Sequence, residues 1–379
     1  MGAWREVARR YGFQEYDGPP LEPLELYTRK SGDEIVGQLY NFADKGGREV
    51  ALRPEMTPTF ARMVAARANA LRRPVRWFSM PQLFRYERQQ KGRLREHFQL
   101  NVDIVGVPGI EADAELIAVA VDVLRALGLT ADDVVVRVSD RRVLDAYLLA
   151  IGAPADAIPG TQAIIDKMER QPREISAEKL AALGLPESAV NGVLDIGNVG
   201  IAELRELLGG GDVAPLVDDL DHLRSHLAAL LGGDDAWFRL DLSIVRGLAY
   251  YTGTVFELFD RRGEFRAICG GGRYDNLLNS LGGVDLPALG FGMGDVVLAE
   301  LLRARGLMPD MTPKLDYWVY ADESTPRETL LAEVARLRAA GHSVEYALRP
   351  QSLSKQKKAA HAAGAEHFLT IPTLPESHG

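Results

Sequence analysis

Cysteine is almost missing from this 379-residue chain: Cys269 stands alone, so no disulfide can form within it. That usage fits a reducing compartment. No CxxC pair and no HExxH helix occurs, so the usual sequence signs of a zinc or dithiol site are lacking. His222 and His226 lie four apart in a helical pattern with no third ligand nearby, which reads as a solvated helix face. No apolar run approaches the ~20 residues that cross a bilayer, and no signal peptide is visible. The expectation is a soluble, cytoplasmic protein with no membrane partner. Positive charge is also short: 44 Lys and Arg face 53 Asp and Glu, a net −9. That balance argues against a sequence-independent DNA binder. Any nucleic-acid contact must use local patches. The 46% hydrophobic and 26% charged composition is globular, and the length allows two or three domains.

Against this acidic background one segment is strongly basic. FRYERQQKGRLREHFQLNVDIVG, residues 84–106, reads as two strands joined by a tight loop, with Arg85, Arg88, Lys91, Arg93 and Arg95 inside eleven residues. A focused cationic hairpin on an acidic chain suits a polyphosphate clamp. Arginine offers paired, directional hydrogen bonds to phosphate oxygens and stays charged.

The periodicities divide the chain. Residues 3–11 read as a helix leading into an extended, proline-rich run around Pro20. Residues 57–70 read as a helix with Thr57 as its N-cap, 76–87 and 95–105 as antiparallel strands, 110–127 as a helix, and 134–138 as a buried strand. From 159 to 233 apolar residues recur at helical spacing between Gly and Pro breaks, which predicts a helical insertion. Strand patterns resume at 238–242, 251–258 and 265–269. Residues 289–294 then lead into a helix over 295–305. After a linker at 307–314, an alternating αβ pattern over 315–379 predicts a small α/β domain with a largely parallel sheet. The expected fold class is α+β, an antiparallel sheet flanked by helices. Its domains are 1–158, the insertion 159–233, 234–306, and the C-terminal unit.

Four segments carry a family resemblance. The basic hairpin resembles motif 2 of the class II aminoacyl-tRNA synthetases. LRPEMTPTFARM (52–63), VRGLAYYTGTVFE (245–257) and CGGGRYDNL (269–277) resemble, in order and rough spacing, the segments of the histidine-specific family. The resemblance implies a homodimer through the Pro20 region. It implies histidine activation with Mg²⁺-dependent ATP, then transfer of the histidyl group to tRNA(His). It assigns no metal to the chain's own residues. The insertion would lie near the tRNA acceptor arm, and the last domain would bind the anticodon.

Such chemistry needs no covalent enzyme intermediate. It needs positioning and charge stabilisation at the phosphate. By resemblance Arg85 holds the α-phosphate and substrate carboxylate, Arg93 the leaving phosphates, and Arg246 the α-phosphate from the other side. Glu87 accepts from the adenine amino group, with His97 and Phe98 offering a stacking ring. Histidine falls to Glu55 and Thr57 at its ammonium, and to Gln99, Asp103, Tyr250 and Tyr251 at its ring, with Arg246, Gly271 and Tyr274 beside it. Gln99 and Asp103 are four apart in a strand pattern, so both face one side.

Some positions depart from the pattern. Val297 stands where motif 3 has an arginine, Ala249 where the family often has Asp, Asp103 where it often has Glu, and His97 where a phenylalanine stacks on adenine. Both chain ends are short against the family. A second reading is therefore a non-catalytic relative serving as regulatory subunit of ATP phosphoribosyltransferase, which Arg246 and the αβ pattern after Lys314 oppose. A third is a truncated synthetase with weak tRNA transfer. His342, Lys355, Lys357 and Lys358 could meet RNA phosphate, although a solvated helix face is the simpler expectation.

Overall fold

The computed structural model describes residues 1–28, 37–86, 94–246, 250–309, 315–322 and 324–371. The chain forms two compact units, Met1–Met308 and Pro309–Gly379. The strands of the first unit, in chain order, are β1 (Gln14–Glu15), β2 (Leu21–Pro23), β3 (Tyr40–Ala43), β4 (Glu49–Leu52), β5 (Val75–Ser79), β6 (Gln82–Phe84), β7 (Glu96–Val105), β8 (Val134–Asp140), β9 (Phe238–Leu240), β10 (Thr254–Asp260), β11 (Cys269–Arg273) and β12 (Ala288–Gly294). The main sheet has the order β1-β5-β7-β12-β11-β10-β8-β9, with β6 paired to β7. Its interior pairings are antiparallel, and parallel pairs close its two edges, β1 on β5 and β9 on β8. A small antiparallel sheet, β2-β4-β3, stands apart from it.

Strict alternation makes this sheet two-faced. Leu100, Val102 and Ile104 of β7, Val134, Val136 and Val138 of β8, and Leu289, Phe291 and Met293 of β12 enter one core. That face is covered by the helix Glu111–Ala126, which contacts β7, β11 and β12. The helix is buried on nearly every side because Gly2–Arg10 and Ala214–Leu230 pack on its back. The opposite face carries Gln99, Asn101 and Asp103 of β7 and Arg137 and Ser139 of β8.

The region expected to be a helical insertion contains the helices Ile158–Met168, Arg173–Ala182, Glu187–Leu194, Ile201–Leu208 and Ala214–Leu230. Pro172 and Pro186 sit at the N-caps of two of them, where a missing N–H does no harm. His222 and His226 stack at 6.4 Å on an exposed face of the last.

Three local expectations need correction. The strand expected over 76–87 is two strands, β5 and β6, because Pro81 cannot donate to the ladder and its carbonyl accepts from Gln99 instead. Thr57 is the first residue of the helix Thr57–Ala65, not its cap; Met56 occupies that place with no side-chain cap bond. The strand expected at 265–269 is β11, shifted onto Cys269–Arg273, so three consecutive glycines lie inside the sheet rather than in a turn.

In the second unit, β13 (Leu315–Tyr320), β14 (Val344–Tyr346) and β15 (Ala365–Thr370) form a parallel sheet of order β14-β13-β15. Val319 faces Leu330, Val334 and Leu337 of the helix Arg327–Ala339. Trp318 and Tyr320 alternate to the other side with Ala360 of the helix Leu353–Ala362. Lys355, Lys357 and Lys358 are exposed on that helix, and His342 lies 3.8 Å from Asp316.

Candidate active site

The polar face of the main sheet opens into a cleft of roughly 1090 Å³, lined among others by Arg85, His97, Gln99, Arg246, Glu257 and Val297. Its depth comes from missing side chains. Gly270 and Gly272 of β11 pair with Gly292 and Gly290 of β12, so four glycines lie together on this face. A Cβ on Gly290 would collide with the Asp103 carboxylate, and one on Gly292 would meet the Gln99 amide at 2.7–2.8 Å. A Cβ on Gly270 would run into the Arg246 guanidinium. The glycines let these three polar side chains lie flat against backbone.

One end of the face is a buried polar pocket. The Tyr274 hydroxyl donates to Asp103 Oδ1, and the Tyr250 hydroxyl donates to Glu55 Oε2 at 2.9 Å. The rings of Tyr250 and Tyr274 meet edge-on at 5.9 Å, and the Tyr251 ring lies tilted against Tyr250 at 5.0 Å. Thr57 also interacts with the Tyr250 hydroxyl. Glu55 is placed by its neighbour Arg53, a buried side chain. Arg53 Nε donates to the Gln82 carbonyl at 3.0 Å and Nη1 to Asp17 and the Gly18 carbonyl at 3.0 and 2.6 Å. Asp103 is 3% exposed. Burial lifts its carboxyl to about 7, against the opposing pull of the Tyr274 hydrogen bond. Two carboxylates and two hydroxyls thus converge on a space walled by aromatic rings.

The cleft next to this pocket is cationic. Arg85 Nε donates to the Pro54 carbonyl at 3.0 Å. His97 is held neutral, its pKa lowered to about 4 by burial and then by the nearby Arg85 charge. Arg246 donates from Nη1 to Glu257 Oε1 at 2.5 Å, and its guanidinium carbon lies 5.7 Å from the Tyr251 ring. Val297 lines the same cleft, so an apolar side chain occupies the motif 3 position.

The structure therefore brings together Glu55, Thr57, Asp103, Tyr250 and Tyr274, and beside them Arg85, His97, Gln99, Tyr251 and Arg246. Phe98 and Gly271 go elsewhere. Phe98 alternates to the opposite side of β7 from His97, and its N–H donates to Asp295 Oδ1 at 3.2 Å. Gly271 faces the aliphatic core, where a Cβ would collide with the Gly290 carbonyl and Phe291. Glu87 and Arg93 lie outside the described residues, as does Ala249. Sequence reasoning missed Glu257, although it stands within the 245–257 segment, and it named Gly271, whereas Gly270 and Gly272 are the glycines of the triplet on the cleft face. The i, i+2 spacing of Gly270 and Gly272, repeated in Gly290 and Gly292, was the available signal.

A family model described as Histidyl-tRNA synthetase matches residues 1–295. The Histidine--tRNA ligase of Opitutus terrae is 48% identical over 97% of this chain and 84% of that protein. The chloroplastic/mitochondrial Histidine--tRNA ligase of Arabidopsis thaliana is 42% identical over 97% of this chain and 75% of its own length. Among solved structures, the histidyl-tRNA synthetase from Nostoc sp. PCC 7120 superposes with a TM-score of 0.82 at 25% identity, covering 97% of this chain and 85% of that one. A Bacillus halodurans structure described as an ATP phosphoribosyltransferase regulatory subunit/histidyl-tRNA synthetase shares the fold, with a TM-score of 0.78 at 23% identity over 98% of this chain and 92% of that one. The relatives at 40% identity and above are ligases, which does not favour the regulatory reading. A polar pocket and a cationic cleft on one antiparallel sheet, in a chain matched nearly end to end by such ligases, have one reading: the chain belongs to the histidyl-tRNA synthetase family, class II ligases that join histidine to tRNA using ATP.

Proposed function

We propose that the two halves of the polar face divide the first reaction between them. Glu55, with Thr57, takes the α-ammonium of histidine. Asp103 and the tyrosine hydroxyls take the ring nitrogens, with Gln99 closing that side. Arg85 and Arg246 hold the α-phosphate of ATP from two directions as the histidine carboxylate attacks phosphorus and pyrophosphate leaves. The terminal ribose hydroxyl of tRNA(His) then attacks the adenylate carbonyl and AMP departs. One preorganised donor at a developing oxyanion is worth roughly 10²–10³ in rate, so two guanidiniums on one phosphorus form a sufficient source of catalysis without a nucleophile. Glu87 and Arg93, in the motif 2 loop, read adenine and the leaving phosphates. His97, a neutral ring on the cleft face, is the better placed stacking partner of the pair His97–Phe98.

The observation that carries this reading is the adjacency of the carboxylate–tyrosine pocket to the arginine cleft on one sheet face. Mg²⁺ enters as the ATP complex. Among the described residues no group of three or more His, Cys, Asp and Glu is placed to hold a metal, and phosphate-bound Mg²⁺ asks for few protein ligands. The small sheet β2-β4-β3, with Leu21 and Phe42 exposed, is where a second copy would dock to give a homodimer. Residues 1–158 and 234–306 act as the catalytic body, 159–233 as the support for the acceptor arm, 307–314 as a linker, and 315–379 as the anticodon-binding domain of a cytoplasmic enzyme. No described helix is long and apolar enough to cross a membrane.

The deciding experiment is histidine-dependent ATP–pyrophosphate exchange with Mg²⁺ and no tRNA. Exchange with histidine and not with other amino acids supports the division of labour. Histidine binding without exchange would overturn it and return the regulatory reading.

A further inference from the structure

Arg246 is held in a costly conformation. Its φ of 59° is the one positive value outside glycine among the described residues, a region that non-glycine residues rarely enter. The side chain is largely buried, and its guanidinium passes over Gly270, where any Cβ would collide with Nη1. Nε is buried and has no hydrogen-bond partner among the described residues. A fixed charge in such surroundings needs a counter-charge.

Glu257 supplies it, and its position in the sheet explains why it is free to do so. On β10 it stands in register between Gly270 of β11 and Arg137 of β8. Arg137 would be a natural partner across the strands, but its charge is already committed. It donates from Nε to the buried Asp241 at 2.7 Å and pairs with Glu169, lying 4.9 Å over the Phe259 ring. Gly270 presents no side chain. The carboxylate of Glu257 therefore turns to Arg246 and takes Nη1 at 2.5 Å. A guanidinium presents two forks, and Nη1 belongs to only one of them. Holding Nη1 fixes the plane of the guanidinium and leaves Nη2 as the terminal nitrogen for an incoming anion.

We infer that Glu257 is a positioning residue for adenylate formation: it fixes Arg246 by one terminal nitrogen, keeps its charge neutralised while the site is empty, and leaves the other terminal nitrogen, Nη2, for the α-phosphate. The inference rests on the role proposed above for Arg246. It concerns orientation, so it predicts loss of turnover rather than of histidine binding.

The test is a double-mutant cycle read by ATP–pyrophosphate exchange in the full chain. Glu257→Ala should lower kcat about 100-fold, the scale of one misplaced preorganised donor. Its KM for histidine should shift less than about threefold, because no ion pair to the amino acid is removed. Glu257→Gln, whose amide oxygen can still accept from Nη1, should keep the chain folded and recover about tenfold of that loss. Adding Glu257→Ala to Arg246→Ala should cost less than about threefold more, since residues acting through one another are not additive. Multiplying losses in the double variant, or a Glu257→Ala effect confined to the KM for histidine, would overturn the inference while leaving the role of Arg246 intact. Full activity of Arg246→Ala would overturn the phosphate role itself, and this inference with it.

Discussion

The two faces of the main sheet are built from the same strands and differ in almost everything else. On the covered face Leu100, Val102 and Ile104 of β7 and Leu289, Phe291 and Met293 of β12 close on the helix Glu111–Ala126, and Arg273 of β11 pairs with its buried Asp113. On the cleft face Gln99, Asp103, Arg137 and Glu257 are polar, and where Gln99, Asp103 and Arg246 lie across a neighbouring strand, that strand offers glycine. The comparison separates what the chain needs to fold from what it needs to react, one residue apart along each strand. A substitution on one face should move stability and leave the chemistry of the folded molecules alone, and the neighbouring substitution should do the reverse.

The sharpest break in that comparison is Arg246→Ala. It touches only the cleft face, and its charge is balanced by a half-buried carboxylate. The expected outcome is a fall of about 10³ or more in histidine-dependent exchange, with the thermal midpoint within a few degrees of wild type and most histidine affinity kept. Near-normal exchange would dissolve the division between the faces.

Next come two glycines on adjacent strands that face opposite sides of the sheet. Gly271→Ala drives a methyl into the Gly290 carbonyl and Phe291, backbone and packed ring that cannot move aside. Overpacking of this kind costs about 1–3 kcal/mol, visible as a lowered denaturation midpoint with normal KM values in the protein that remains folded. Gly292→Ala meets only the end of the Gln99 side chain, at 2.7–2.8 Å. It should leave the midpoint almost unchanged and raise the KM for histidine several-fold. Equal destabilisation by both would mean that the cleft face is as tightly packed as the core.

Asp103 tests the same boundary by pH. Its carboxyl titrates at about 7 in the folded chain because burial disfavours the charge, against about 3.9 for an exposed Asp. Between those values the folded state binds more protons than the unfolded one. The contribution of Asp103 to the stability of the unliganded chain should therefore fall as pH rises from about 4 through 7, and Asp103→Asn should remove that contribution while leaving the one from the buried Asp113, whose carboxyl is raised to about 6. Urea unfolding across this range checks the sign. Histidine binding runs the other way, since an ionised Asp103 is the better acceptor for a ring N–H. Affinity should weaken below pH 7, and Asp103→Asn should weaken it by roughly 10–100-fold, the value of a hydrogen bond to a charged group. The KM for ATP should hardly move, and calorimetry against kinetics separates the two ligands.

Which residues sit on which face was the part hardest to read from sequence. The motifs themselves were legible because each keeps its chemistry within a dozen residues: Glu55 after Arg53, Gln99 and Asp103 along one strand, Tyr250 and Tyr251 after Arg246. The alternation in β7 placed Gln99 and Asp103 correctly. It also rules out Phe98 as a companion of His97, since adjacent residues of a strand cannot share a face. The side chains that the glycines of β11 and β12 accommodate are harder to read. Glycine ordinarily signals a turn, and here it signals side chains arriving from neighbouring strands, Gln99, Asp103 and Arg246, which no local window contains. Glu257 was missed because its partner is brought to it by a backbone conformation, the φ of 59° at Arg246, that a sequence does not announce.

The smallest expected effect is at His97, where the chain departs from the phenylalanine of its family. The ring lines the cleft beside Arg85, and burial together with that charge keeps it neutral until the pH approaches about 4. A neutral imidazole and a phenyl ring both offer a flat face to a purine, and stacked aromatic pairs are worth only ~0.5–1.5 kcal/mol beyond their area. His97→Phe should therefore change the KM for ATP by less than about threefold and leave the exchange rate between pH 6 and 8 with the same profile as wild type. A profile that lost a step in that range would show that His97 carries a proton in the working enzyme. The cleft face would then hold a titrating group where the unliganded structure holds only a stacking surface.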